Sequence, residues 1–493
     1  MKAKRIDASL YWCAGILLLS VVAFGMTGPL LAIGRYIPLD PNEGWNAYFA
    51  DAAIHGGVLY PPADALITNN YPPLSFYIVG AIGHLTGDNI FAGRVLALLS
   101  LLFVAWSLYY WLRSTGSAVR FGLIAALTFL AYAVTYAHIY VAMDDPQWLA
   151  HALMMGGLLV LWSGPQDTIP SGDTIPSGDT ISSGDTRRIL IGAILMMAAG
   201  WTKHLLIPLP VTVSLWLLWR SRPVFAKWII SASITLAIAA SLAWWFHGVR
   251  MFQSLHEPRE YMRWKAITEA TAALRCFAPL VVLWLAALVK GRLGERMAFV
   301  SLYLIIATGV AVFAAGGAGV DVNSFFDTLI ALCLAVGLAL ERLSTGSRPL
   351  GAPTAAVLAI CLVIYGATVA PLLLRDIRNV DADEQSALQD IQVIEANGHG
   401  RAACEMLNLC YWAKSAFMVD FFYFGQKLKT GALPRSACAD TFEHGDIAMV
   451  QLEHNPRWRA KLLPNDCDAL ITTRYQSIRE SNFGPLLTRS AHP

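Results

Sequence analysis

Apolar runs dominate this chain, near residues 10–33, 91–112, 120–140, 147–163, 189–201, 205–219, 226–247, 273–289, 297–315, 325–341 and 352–373. They constrain its fold more than any motif. A helix needs about 20 residues to cross a hydrocarbon core roughly 30 Å thick, and in lipid every backbone N–H and C=O must be satisfied internally. With 56% hydrophobic and 14% charged residues, against about 25% charged in soluble proteins, and a mean hydropathy of +0.51, the runs predict an all-α polytopic membrane protein of about 11 transmembrane helices. The run at 10–33 follows Met1-Lys2-Ala3-Lys4-Arg5. It is too long for a cleavable signal core and has no small-residue cleavage site, so an uncleaved first span is predicted. The runs flanking Trp201-Thr202-Lys203-His204 are short for a bilayer and predict a tilted or partly re-entrant hairpin.

Basic residues fix the expected orientation. An N-terminus in the cytoplasm puts Arg113, Arg120, Arg187, Arg188, Arg220, Arg222, Lys227, Lys290, Arg292, Arg296, Arg342 and Arg348 inside, as the positive-inside bias requires. Residues 34–90 are then the first outer loop. Residues 164–188, with their DTIPSG, DTIPSG and DTISSG hexads, are a cytoplasmic low-complexity linker, too polar to bury. An odd number of spans carries 374–493 outside, where a polar and charged composition predicts a small soluble domain of α/β type. Cys404, Cys410, Cys438 and Cys467 fall in it. An even set in an oxidising compartment predicts up to two disulfides, with three pairings open and four free thiols as the alternative. A formal net charge of +2 gives no argument for nucleic acid.

The first outer loop carries Asp40 and Glu43, and the turn Met143-Asp144-Asp145-Pro146 brings Asp144 and Asp145 to the same face. Carboxylates at span ends are functional candidates by default. Helix capping is the competing account, for Asp40 ahead of Pro41 and for Asp145 ahead of Pro146; Glu43 is explained less well by it and is the first choice for a general base, with Asp145 as its partner. Segment 248–272 is expected outside yet holds Arg250, Arg259, Arg263 and Lys265. These cations either pair with Glu257, Glu260 and Glu269 or meet a lipid phosphate. Lys203 has no acidic neighbour in sequence, which strengthens its phosphate reading, and Arg94 is either a further phosphate ligand or a snorkelling anchor. Trp45, Tyr48, Tyr60, Tyr71, Tyr77 and Trp148 fit an interfacial belt. No Walker A, GxSxG or Rossmann pattern is present in the sequence.

Taken in order, Pro41-Asn42-Glu43-Gly44-Trp45-Asn46-Ala47-Tyr48, Asn69-Asn70-Tyr71-Pro72-Pro73-Leu74, Gly93-Arg94, Asp144-Asp145-Pro146-Gln147, Thr202-Lys203 and Gly319-Val320-Asp321-Val322-Asn323 resemble the GT-C superfamily of membrane glycosyltransferases. The likeness is to the bacterial branch related to glycosyltransferase family 39 and covers roughly residues 10–345. It implies a transmembrane catalytic domain, here 1–373, that moves a sugar with inversion from a polyprenyl-phosphate donor. The acceptor is an envelope glycolipid, polysaccharide or protein at the outer face of the bacterial cytoplasmic membrane. Relatives carry an Asp-Glu pair where this chain has Asn42-Glu43, which leaves Asp40 and Glu43 as alternatives for the base. The implied donor-phosphate ligands are Lys203, Arg94, Arg259 and Arg263. Asn70, Tyr71, Trp45, Asp321 and Asn323 are the implied substrate contacts. A divalent magnesium or manganese ion on Asp40, Glu43 and Asp145 is optional, since no motif demands it. A transporter or flippase of lipid-linked sugars is the rival reading, but the repeats such proteins commonly show are not evident.

Overall fold

A computed structural model describes residues 2–162, 185–290, 293–345, 349–454 and 462–490. The hexad repeat lies outside them except for Asp185 and Thr186, as do Arg292 and Arg348. Helices occupy all the apolar runs: α1 (Lys2–Ala32), α4 (Asn89–Ser114), α5 (Val119–Tyr136), α6 (Gln147–Trp162), α7 (Thr186–Thr202), α8 (Pro208–Arg220), α9 (Arg222–Ser254), α10 (Arg263–Val289), α11 (Glu295–Ala315), α12 (Phe326–Leu343) and α13 (Gly351–Gly398). Among the described residues eight are long and apolar enough to cross a membrane; α6, α7 and α8 fall short at 16, 17 and 13 residues. The protein is a multi-pass membrane protein. The exceptionally buried helix is α12, with 83% of its apolar window inside the bundle; α5, α10 and α11 pack about it most closely, with Phe129, Phe277 and Phe299 in the shared core.

The loop 34–90 is not irregular. It holds α2 (Pro41–His55) and α3 (Leu74–Thr86), both starting and stopping on local signals. Asp40 caps α2 by accepting the Asn42 amide, Pro41 supplies its first turn, and Gly56, at φ 76°, ends it in the left-handed region that glycine tolerates. Asp88 caps α4 in the same way. Loop 34–90 and the C-terminal region share one end of the bundle, called the cap end below.

Sequence composition puts the start of the soluble region at 374, yet α13 continues without a break to Gly398, 48 residues in all. A helix tolerates the change from apolar to polar faces because its backbone bonds are internal, so composition shifts before the fold does. Beyond it, β1 (Ala402–Cys404), β2 (Met449–Gln451), β3 (Tyr475–Arg479) and β4 (Leu486–Arg489) form a mixed sheet in the order β1-β2-β4-β3, with only β1 and β2 parallel. Short helices α14 (Leu407–Trp412), α15 (Phe421–Thr430), α16 (Ala437–Phe442) and α17 (Asn465–Arg474) pack against it. Their core includes Phe424, Phe442, Val450, Leu463 and Ile471. Cys404 bonds Cys410, and Cys438 bonds Cys467.

Candidate active site

Four elements meet at the cap end: α2, the start of α4, the turn between α5 and α6, and the α7–α8 connection. Gly93 on α4 permits the meeting, because a Cβ there would occupy the space of the Asp144 carboxylate. One residue on, Arg94 turns into the gap. Its Nε and Nη2 donate to both oxygens of Glu43 at 2.7 and 2.6 Å, Nη1 donates to the carbonyls of Ala32 and Arg35, and Nη2 also donates to that of Ile37. All five guanidinium N–H groups are therefore engaged, in a side chain that is 1% exposed.

Glu43 is equally committed. Besides Arg94 it accepts from the backbone amides of Leu39 and Asp144, each at 3.2 Å, and from the Asn408 amide at 2.9 Å, with no exposure of its own. A carboxylate offers about four lone-pair sites, and here five donors share them. This corrects two sequence expectations: Glu43 has no oxygen open to an acceptor hydroxyl, and Arg94 has no donor open to a phosphate. Asp144 lies behind them, buried, with one oxygen lacking any partner among the described residues. Burial, and then the charges of Glu43 and Asp145, push its carboxyl well above the usual range.

Asp40 differs. One oxygen caps α2, and among the described residues the other makes no hydrogen bond. Burial pushes its carboxyl up to about 7 against the help of the Asn42 amide, with Glu43, Asp321 and Asp145 adding to the rise. Asp321, in the loop before α12, accepts from the Tyr140 hydroxyl at 3.3 Å. Lys265 secures that loop by donating to the carbonyls of Gly317 and Val320.

Lys203, without an acidic neighbour in sequence, has one in space. Its Nζ lies 3.1 Å from an oxygen of Asp145, which also caps α6 through the Gln147 amide. The ammonium stands 4.8 Å from the centre of the Tyr71 ring, a cation–π arrangement. Burial works against its charge, but Asp145 and Tyr71 outweigh that and hold its pKa above the ordinary value. The pair opens on a cleft of about 60 Å³ lined by Asn70, Tyr71, Lys203, His204, Arg259 and Asn323, which continues between α8 and α11 along apolar Leu206, Val310 and Ala311. Arg259 meets only the Ala318 carbonyl, at 3.4 Å, and among the described residues no carboxylate lies within ion-pair distance of it. His204 is kept neutral: burial, then Arg259 and Lys203, lower it to about 4. Its Nδ1 is buried without a partner among the described residues, and nothing in its sequence surroundings signals this.

Two further expectations need correction. Arg263 is exposed at the start of α10 and does not line the cleft, because the chain turns at Tyr261, which pairs with Gly317. Trp45 is a core residue, its ring against Phe49, Tyr71 and Phe76 and its Nε1 donating to the Thr68 carbonyl. The cap-end roof also comes from far along the chain. Gln426 accepts the Glu260 amide, and Lys427 donates to the carbonyls of Ala63 and Ala65. As for a metal, a hard cation needs open carboxylate oxygens. Those of Glu43 are taken by Arg94, Asn408 and two amides, Lys203 occupies Asp145, and among the described residues no three His, Cys, Asp or Glu side chains converge. Asp40, Glu43 and Asp145 do not fit a divalent ion.

No protein-family model matches the chain, and no curated protein matches it. Solved structures do. ArnT from Cupriavidus metallidurans in the apo state is similar with a TM-score of 0.62 at 13% identity, over 97% of this chain and 98% of that one. ArnT bound to undecaprenyl phosphate is similar at 0.59 and 14%, with the same coverage. The chain has the fold of these ArnT structures. The cap-end cluster and its cleft hold buried polar atoms without a hydrogen-bond partner among the described residues, Asp144 Oδ2 and His204 Nδ1 among them.

Proposed function

We propose that this protein is an inverting glycosyltransferase, moving a sugar from a polyprenyl-phosphate donor to an acceptor hydroxyl at the extracytoplasmic face of the bacterial cytoplasmic membrane. The observation that carries the reading is a cationic cleft at Lys203 and Arg259 that runs on into apolar helix faces, with Asp40, one of whose oxygens is free among the described residues, electrostatically coupled to the Asp145 that holds Lys203. Such a cleft suits a ligand with a phosphate head and a prenyl tail, and the ArnT neighbour was crystallised with undecaprenyl phosphate. Asp40 is the base. It takes the acceptor proton as that oxygen bonds to the anomeric carbon from the face opposite the phosphate. The carbon–oxygen bond to the phosphate breaks, and the extra negative charge on the departing lipid phosphate falls to Lys203 and Arg259. Cations placed where charge develops lower the barrier selectively, and a base with a pKa near the working pH is the effective one. Asp145 holds Lys203 in place. His204 and Asn70 meet the sugar hydroxyls. The basic loop pattern supports the orientation.

The test uses the full chain in nanodiscs with undecaprenyl-phosphate-linked hexose or pentose and an envelope extract, reading released undecaprenyl phosphate by mass spectrometry. Acceptor-dependent release by the wild type and not by Asp40→Asn supports the reading. Donor unchanged throughout the panel, or equal release by both proteins, overturns it.

A further inference from the structure

A residue from the C-terminal region reaches the centre of the membrane site. Asn408 lies 365 positions from Glu43 in sequence, yet its Nδ2 donates to Glu43 Oε2 at 2.9 Å, and neither residue has any exposure. The approach is built in. At Gly44 any Cβ would run into the Leu407 carbonyl carbon and the Asn408 amide, so only glycine lets α14 sit on the first turn of α2. Tyr48 and Phe417 stack beside this contact at 4.6 Å, and Trp412 donates to Asp88 on its other side. Cys404 and Cys410 are disulfide-bonded, closing a loop that contains Leu407 and Asn408.

The Glu43 oxygen that Asn408 holds also accepts the Leu39 amide, immediately before Asp40. Asn408 thus acts on the residue that positions the start of α2. A hydrogen bond to a buried carboxylate is stronger than a neutral one, and among the described residues Glu43 otherwise bonds Arg94 on α4 and the backbone amides of Leu39 and Asp144.

We propose that Asn408 is a positioning residue for the transfer site, acting through Glu43 on Leu39 and Asp40, and that the Cys404–Cys410 bond holds it there, so that the site is complete only once the C-terminal region is oxidised. The proposal rests on the transferase reading for its consequence, but the geometry is testable without turnover. The Leu39 and Asp144 amides, both donating to Glu43, are the reporters. Their hydrogen exchange is measured on the full chain in nanodiscs.

Asn408→Ala is expected to speed exchange at Leu39 and Asp144 about tenfold or more, the equivalent of a hydrogen bond to a charged group. Amides of β2 and β4 stay unchanged. Asn408→Asp separates positioning from packing, since its shape is the same. The introduced carboxyl meets Glu43 Oε2, which Arg94 Nη2 also holds; Asp144 reaches Glu43 through its backbone amide, Asp40 follows Leu39, whose amide reaches the same oxygen, and Asp88 accepts from Trp412 on α14. Protonated, it donates to Glu43 and exchange at Leu39 matches wild type; ionised, it repels Glu43 and exchange matches Asn408→Ala. A packing role gives no such pH dependence. Cys404→Ser with Cys410→Ser is expected to raise exchange at the same two amides. Unchanged exchange in Asn408→Ala, pH-independent behaviour of Asn408→Asp, or no effect of the cysteine changes overturns the proposal. If these exchange results hold while the wild type turns over no donor, the transferase reading fails and the clamp stands.

Discussion

Asp40 and Glu43 sit three positions apart at the start of α2 and differ in one respect: the Glu43 carboxylate is saturated and, among the described residues, one oxygen of Asp40 is not. Replacing Asp40 with Asn keeps the α2 cap and removes the basic oxygen, so transfer should fall about 10²–10⁴-fold with donor binding retained. Turnover of Asp40→Asn within a few-fold of wild type would remove it as the base. The pH profile follows from the same residue. Its carboxyl is raised to about 7 and must be ionised to accept a proton, so activity should climb as pH rises through that value and be lost below it. A rate already at plateau at pH 5 would contradict this. Arg94→Ala should behave as a stability lesion: it leaves the Glu43 charge buried without its partner, and breaking such a pair costs about 3–5 kcal/mol. Thermal unfolding of the purified chain measures it. Loss of donor affinity with unchanged stability would instead return Arg94 to the phosphate site.

Between elements, the cleft depends on the α7–α8 connection carrying Lys203 and the 250s segment carrying Arg259. Lys203→Ala and Arg259→Ala should each weaken binding of undecaprenyl phosphate, measured by calorimetry in nanodiscs, while Arg263→Ala, on an exposed helix start, should not. Equal loss in all three would mean a general surface charge effect. The acidic residues and Lys203 were legible in the sequence as a set, and so were the helices, because apolar runs of bilayer length leave few alternatives. Their pairings were not. Glu43 finds Arg94 51 positions away, and Asp145 finds Lys203 58 away; no local pattern encodes which of several cations a buried acid will meet. Gly44 and Gly93 stand inside the quoted motifs, but only the structure shows that backbone or a carboxylate approaches them, and Asn408 carried no signal at all.

At the scale of the whole molecule, one helix joins the two halves. Residues 352–373 of α13 are the apolar run, and the helix then continues to Gly398, directly before β1. At 1.5 Å per residue this polar continuation is on the order of 40 Å long. Arg35, just past α1, pairs with Asp381 and Glu384 on it. The apolar part of α13 is long enough to cross a bilayer, while its polar end leads into the region that carries Asn408. A mismatch between hydrocarbon thickness and helix length is met by tilt, at a fraction of a kcal/mol per Å. Tilting a rod of this length moves its far end by more than its base. The protein should therefore gauge the bilayer. In nanodiscs of phosphatidylcholine with progressively shorter acyl chains, protection of the Leu39 amide should pass through a maximum instead of staying flat, so that the composition of the surrounding membrane sets how firmly the site is assembled.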